Sequence, residues 1–317
     1  MLDLVWASGN DRAHTSLFRS STTGKYWWRR RLAAGWGASL SLPWAERMVQ
    51  LQAGIQESTR IVLPVSLGDI TKAWKVQGKS SIAMDLHPTQ GELYLLEDVG
   101  HSASVLAEIL LKSGVSLAET GGSYPPARLS KSSQMIESLP SEGDDFSYLP
   151  NRDMTRFWRR VTESTSWPSL STALTRVKAE QASADWCTDG GFSLSSVVLS
   201  GTNLVDGLEI LLEDITFVTK REFIAGAAIG ELMEFGLLVR GTSRRLSDRL
   251  LALTQGTAVK FDTGVARTRQ LLEAAAASRV VSHVLEFQLF VGKLPYPDAY
   301  LALLNDLHHV FEDVVSS

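Results

Sequence analysis

One cysteine, Cys187, in 317 residues leaves no partner for an intramolecular disulfide and too few thiolates for a cysteine-built zinc or iron–sulfur cage. That scarcity fits a reducing compartment, so a cytoplasmic or otherwise intracellular, non-secreted protein is expected. The first nine residues, MLDLVWASG, carry Asp3 and no basic residue ahead of an apolar run, so no secretory signal is read there. Long apolar runs are also missing. The best candidate, Phe223 to Val239, is broken by Glu231 and Glu234, each costing roughly 2–3 kcal/mol at membrane depth, and no transmembrane segment is expected.

The familiar catalytic patterns are absent too. There is no Gly-x-Ser-x-Gly elbow, no His-Glu-x-x-His and no Gly-x-Gly-x-x-Gly. Cys187, beside Trp186, reads as a small packing residue rather than a nucleophile. Asp306, His309 and Asp313 on the last helix read as a solvated face opposite an apolar stripe, not a metal site. Phe261-Asp262-Thr263-Gly264 precedes a helix that Thr263 caps, which is no setting for a carboxylate dyad. No cofactor and no metal are expected.

What is present is an α+β pattern, predominantly α, with a small antiparallel sheet in the N-terminal part and a helical C-terminal part. Three segments are expected: an α+β domain over 1–115, a linker or long surface loop over 116–150, and a helical domain over 151–317. Residues 116–150 hold four of the ten prolines and eight serines, and lack the periodic apolar residues that offset ordering entropy. Period-two alternation predicts strands at Arg60 to Val65 and Lys72 to Val76 and a hairpin over Ser81 to Leu96, closed by a helix from Ser102 to Ser113 with Ser102 as its cap. Downstream, helices are predicted after Asn151, from Asn203 to Val218, over Phe223 to Val239 and from Ser243 to Leu253. Two more should run from Thr263 to Val291 and from Pro297 to about Val315, proline being well suited to a first helical turn. Gly226-Ala-Ala-Ile-Gly230 is a small-residue face that lets another helix approach closely, read as packing within the chain, with self-association the alternative.

The net charge of −4 conceals an asymmetry. Residues 1–60 carry eight Lys/Arg against four Asp/Glu, residues 61–150 carry six against eleven, and five of the nine tryptophans fall in the first 44 positions. Lys25, Tyr26, Trp27, Trp28, Arg29, Arg30 and Arg31 interleave cations with rings, a combination suited to phosphates and unpaired bases. Arg152, Arg156, Arg159 and Arg160 form a second basic group, and Arg244, Arg245 and Arg249 a third.

The leading functional reading is a non-catalytic structural or assembly protein, working as a homo-oligomer or with a protein partner through packed helical surfaces. The alternative is nucleocapsid-like binding of single-stranded RNA or DNA through the three basic groups. A third reading is a cryptic NTP-binding enzyme. Ala73 to Ser80 matches a relaxed phosphate-loop pattern with Gly78, Lys79 and Ser80 at its end, although the flanking residues alternate like strands rather than opening a helix.

Overall fold

The computed structural model describes residues 1–9, 13–32, 59–62, 66–67, 71–77, 80–81, 99–112, 114–116, 151–181, 186–189, 197–199, 208–211, 216–239, 244–261, 266–288 and 292–312. The chain forms two compact units. The first comprises Met1–Asp98, Lys112–Ala127 and Trp186–Val218, and the second Val99–Leu111, Arg128–Asp185 and Thr219–Ser317.

The first unit is built on strands β1 (Leu2–Gly9), β2 (Ala13–Ser20), β3 (Tyr26–Leu32), β4 (Thr59–Val62), β5 (Ser66–Leu67), β6 (Thr71–Val76) and β7 (Ser80–Ser81). Five of them make an antiparallel sheet in the order β1-β2-β3-β6-β5. The β2–β3 turn closes on Gly24, whose φ of 66° lies in the left-handed region that glycine enters without steric cost. A bulge between Leu4 and Trp6 shifts the register of β1, so that Trp6 faces Leu17.

Strands β8 (Gly114–Ser116), β9 (Trp186–Asp189), β10 (Val197–Leu199), β11 (Leu208–Leu211) and β12 (Thr216–Thr219) complete two smaller sheets, β4-β11-β10-β7 and β12-β9-β8. Leu17, Trp28, Trp74 and Val76 of the five-stranded sheet share one core with Val62, Val198 and Leu211 of the four-stranded one. Burying that many rings and branched side chains is the main favourable term holding this unit together, at about 25 cal/mol per Å² of apolar surface.

The second unit is helical: α1 (Val99–Lys112, all but its last residue), α2 (Arg152–Thr162), α3 (Trp167–Gln181), α4 (Arg221–Val239), α5 (Arg244–Phe261), α6 (Ala266–Glu286) and α7 (Pro297–Glu312). Helix α4 is its centre, packed on α5, α6 and α7 and buried along most of its length. Gly226 and Gly230 set its approach to α6. A methyl group on Gly226 would stand 2.5 Å from the Ala275 Cβ, and one on Gly230 2.7 Å from the Ala276 carbonyl oxygen. The small-residue face thus serves packing within the chain.

The α+β class is as expected. The helix predicted over Asn203 to Val218 is corrected: Leu208–Leu211 and Thr216–Thr219 are strands. Leucines spaced three and four apart mimic a helical stripe, but β11 gains a parallel partner in β4 and an antiparallel one in β10, which a single sequence window cannot reveal. Helix α1 begins three residues ahead of Ser102, which is buried inside it rather than capping it. The predicted strands at Arg60 and Lys72 are present as β4 and β6, whereas most of the Ser81 to Leu96 hairpin lies outside the described residues, as do Asp262 to Gly264. Among the described residues, no helix is long and apolar enough to cross a membrane.

Candidate functional site

Alternation along β3 divides the basic, aromatic segment between two faces. On the inner face Trp28 is paired laterally with Leu17 and Trp74 and stacks on Trp6, ring centroids 5.6 Å apart with planes 18° off parallel. Two residues on, the same face carries Arg30, opposite Thr15 on β2 and Lys72 on β6. Arg30 is only 8 % exposed, and its Nε donates to the Thr15 hydroxyl at 3.2 Å. A guanidinium held this deep on a central strand fixes a permanent positive charge in low dielectric, where its interaction with an anion is far stronger than at the surface.

The other face carries Trp27, Arg29 and Arg31, with both arginines exposed. Tyr26 and Trp27 are half-buried, and Lys25 is exposed at the end of the β2–β3 turn. Lys25 to Arg31 are therefore no single strip. Arg152, Arg156, Arg159 and Arg160 lie exposed along α2 in the second unit, where Arg160 Nη1 pairs with Asp298 Oδ1 at 2.6 Å. Arg244 and Arg245 are exposed in the first turn of α5, and Arg249 is half-buried one turn on. Gly78 and Lys79 lie outside the described residues, and Ser80 opens a strand paired with Leu199 instead of the helix that a phosphate loop needs.

The second unit holds a constellation that the sequence did not announce. Glu234, 3 % exposed on α4, receives hydrogen bonds at Oε1 from His283 Nδ1 on α6 and from the Tyr300 hydroxyl on α7, the latter at 2.6 Å. Arg279 Nη1, one turn before His283, stands 3.9 Å from Oε2. Burial pushes this carboxyl up, but His283 and then Arg279 and Tyr300 outweigh it, and the net result is a pKa below the usual 4.5. His283 lies against Phe287 at 4.6 Å between ring centres. The chemistry is that of a buried, ionised hinge pin joining three helices. Its one sequence signal was two acids inside the apolar run of α4, since a charge there needs partners. Nearby, Trp158 Nε1 donates to the Gln288 side-chain oxygen at 2.8 Å, another fully buried polar pair.

No family model matches the chain, and no curated protein matches it. Among solved structures it is similar to ethanolamine kinase of Plasmodium vivax, at 9 % identity and TM-score 0.49 over 99 % of this chain and 84 % of that one. It is also similar to choline kinase of Cryptosporidium parvum, at 7 % identity and TM-score 0.45 over 100 % and 90 % of the two chains. A third is macrolide 2′-phosphotransferase of Brachybacterium faecium, at 14 % identity and TM-score 0.43 over 96 % and 92 %. All three are small-molecule phosphotransferases. The expected structural or assembly role, and the nucleocapsid-like alternative, have no counterpart among them and are corrected. The geometry supplies the physical reason: Trp28, which was to stack on bases, is buried in the core of the first unit, and the cations of segment 25–31 are divided between the two faces of the sheet. At Lys79 the phosphate-loop pattern lacks the helix it needs where it can be followed, since Ser80 opens strand β7.

Proposed function

We propose that the chain is a phosphotransferase and that Arg30 holds a phosphate group of its nucleotide on the inner face of the five-stranded sheet. The supporting observation is the buried guanidinium, fixed by Thr15 on the central strand. Phosphoryl transfer asks a protein chiefly for positioning and for stabilisation of phosphate charge, and a planar, always-charged group with a locked orientation supplies both. The acceptor in this reading is a hydroxyl of a small molecule. An intracellular setting goes with it, matching the single cysteine.

Calorimetric titration with a magnesium nucleotide tests the proposal. Arg30→Met keeps the aliphatic stem and removes the charge; it should weaken nucleotide binding at least tenfold, the scale of one charged hydrogen bond of about 1.5–3 kcal/mol. Arg30→Lys should recover part of the loss, and Thr15→Val, which frees the guanidinium without discharging it, should fall between. Failure of the wild-type chain to bind ATP or GTP overturns the proposal. So does an Arg30→Met variant that binds as the wild type does.

A further inference from the structure

The face of the five-stranded sheet turned away from the shared core has a composition unlike the rest of the chain. Cross-strand register puts Leu4, Phe18, Trp27 and Lys75 in one row. Arg29 and Arg31 follow along β3, and Lys25 precedes Trp27 on the same side. Among the described residues this face carries four cations and no acid, in a chain that has 31 basic and 35 acidic side chains. Asp3, the only acid described on these strands, belongs to the opposite face, in the row of Arg19 and Tyr26.

Two features accompany this segregation of charge. Lys25 stands close enough to Lys75 to disfavour its ammonium form: the Lys75 pKa is lowered by Lys25 first and then by desolvation. Like charges held together at a sheet surface repel, and an anion lying against them would relieve that repulsion. Beside them the sheet ends in β1, which pairs only with β2 among the described strands, and its leucines are open: Leu2 is 53 % exposed and Leu4 60 %. Phe18 and Trp27 continue the apolar row inward, both half-buried.

We infer that this face docks on an anionic lipid surface, with Lys25, Lys75, Arg29 and Arg31 against the headgroups and Leu4 and Trp27 at the acyl boundary. A folded acidic protein would satisfy the cations, but it would not by itself call for open leucines and a tryptophan among them. That mixture is what an interfacial surface needs, because apolar insertion and headgroup attraction each give part of the binding. The surface is separate from Arg30, which points to the inner face, so the two proposals stand or fall independently.

Flotation of the full chain with vesicles tests the inference. Vesicles of phosphatidylcholine with phosphatidylserine should carry the protein at low salt, vesicles of phosphatidylcholine alone should not, and added salt should release it. Lys75→Glu and Arg29→Glu should each lower the partition coefficient at least about fivefold, the effect of removing one cation near such a membrane. Leu4→Ser should lower it at constant salt sensitivity, and circular dichroism on each variant confirms that it is folded. The inference is overturned by no flotation, by equal flotation with neutral vesicles, or by folded Lys75→Glu floating as the wild type does. Capture on immobilised polyaspartate without flotation also overturns it, in favour of an acidic protein partner.

Discussion

Tyr300 donates its hydroxyl to Glu234 Oε1 at 2.6 Å, joining α7 to the middle of α4 through an oxygen that also serves His283 on α6. Three helices far apart in sequence thus share one buried carboxylate. Because its folded pKa lies below the ordinary 4.5, ionised Glu234 contributes stability that is fully present above that value and is lost as pH falls through the folded value.

Glu234→Gln should therefore lower stability at pH 7 by about 1–3 kcal/mol while flattening the acid limb of the stability profile. Thermal unfolding of the variant and the wild type between pH 3 and pH 7, roughly the span over which a carboxylate titrates, measures both. A wild-type acid limb retained in the variant would remove Glu234 from the account. Tyr300→Phe should cost about 1–2 kcal/mol, since one hydrogen bond goes and the carboxylate keeps Arg279 and His283 beside it.

The glycines of α4 give a sharper contrast. Gly226→Ala puts a methyl group 2.5 Å from the Ala275 Cβ, and relief requires α4 and α6 to move apart. A loss of about 1–3 kcal/mol is expected from overpacking. At Gly236 the nearest atom to an added methyl group is the Leu250 Cβ at 3.6 Å, ordinary contact, so Gly236→Ala should be neutral or stabilise by roughly 0.5–1 kcal/mol through helix propensity. Denaturant titration of the two variants in parallel should show opposite signs or a clear gap.

These particulars also show where sequence reading succeeds and where it stops. Pro297 and Asn151 were legible as helix starts because capping is local: everything needed lies within one turn. The small-residue face at Gly226 was legible for the same reason. Segment 25–31 misled because rings and cations alternate with period two, and which parity faces the core depends on pairing with β2 and β6. Arg30 therefore could not be told from Arg29 or Arg31. Leu208 to Leu211 misled because apolar spacing is ambiguous over four residues. The partners of Glu234 were not legible for a third reason. His283 has Glu286 three residues on in sequence, but the carboxylate it meets is Glu234, on a helix packed against its own.

Two buried tryptophans separate packing from hydrogen bonding. Trp28 and Trp158 are both fully buried, but Trp158 Nε1 donates to Gln288 whereas Trp28 Nε1 has no hydrogen-bond acceptor among the described residues. Changing either to Phe deletes the same atoms. Trp28→Phe removes a donor already unsatisfied, while Trp158→Phe leaves the buried Gln288 oxygen without its donor. Trp158→Phe should be the more destabilising by about 1–2 kcal/mol, read from denaturant midpoints; equal costs would show that packing alone decides both.

Asn151 does two jobs at the start of α2. Its side-chain oxygen accepts from the Met154 amide at 2.9 Å, and its Nδ2 donates to the Gly292 carbonyl at 3.1 Å, in the turn ahead of α7. Asn151→Asp keeps an acceptor for the cap and adds negative charge at a helix N-terminus, where it is favourable, but it can no longer donate to Gly292. Asn151→Ala loses both bonds. The alanine variant should lose about 0.5–2 kcal/mol relative to wild type, with the aspartate variant between them, because the cap accounts for most of the cost and the Gly292 bond is exposed. If aspartate proves as costly as alanine, the tie to Gly292 outweighs the cap, and amide hydrogen exchange at Met154 would then remain slow in the aspartate variant although its stability has fallen.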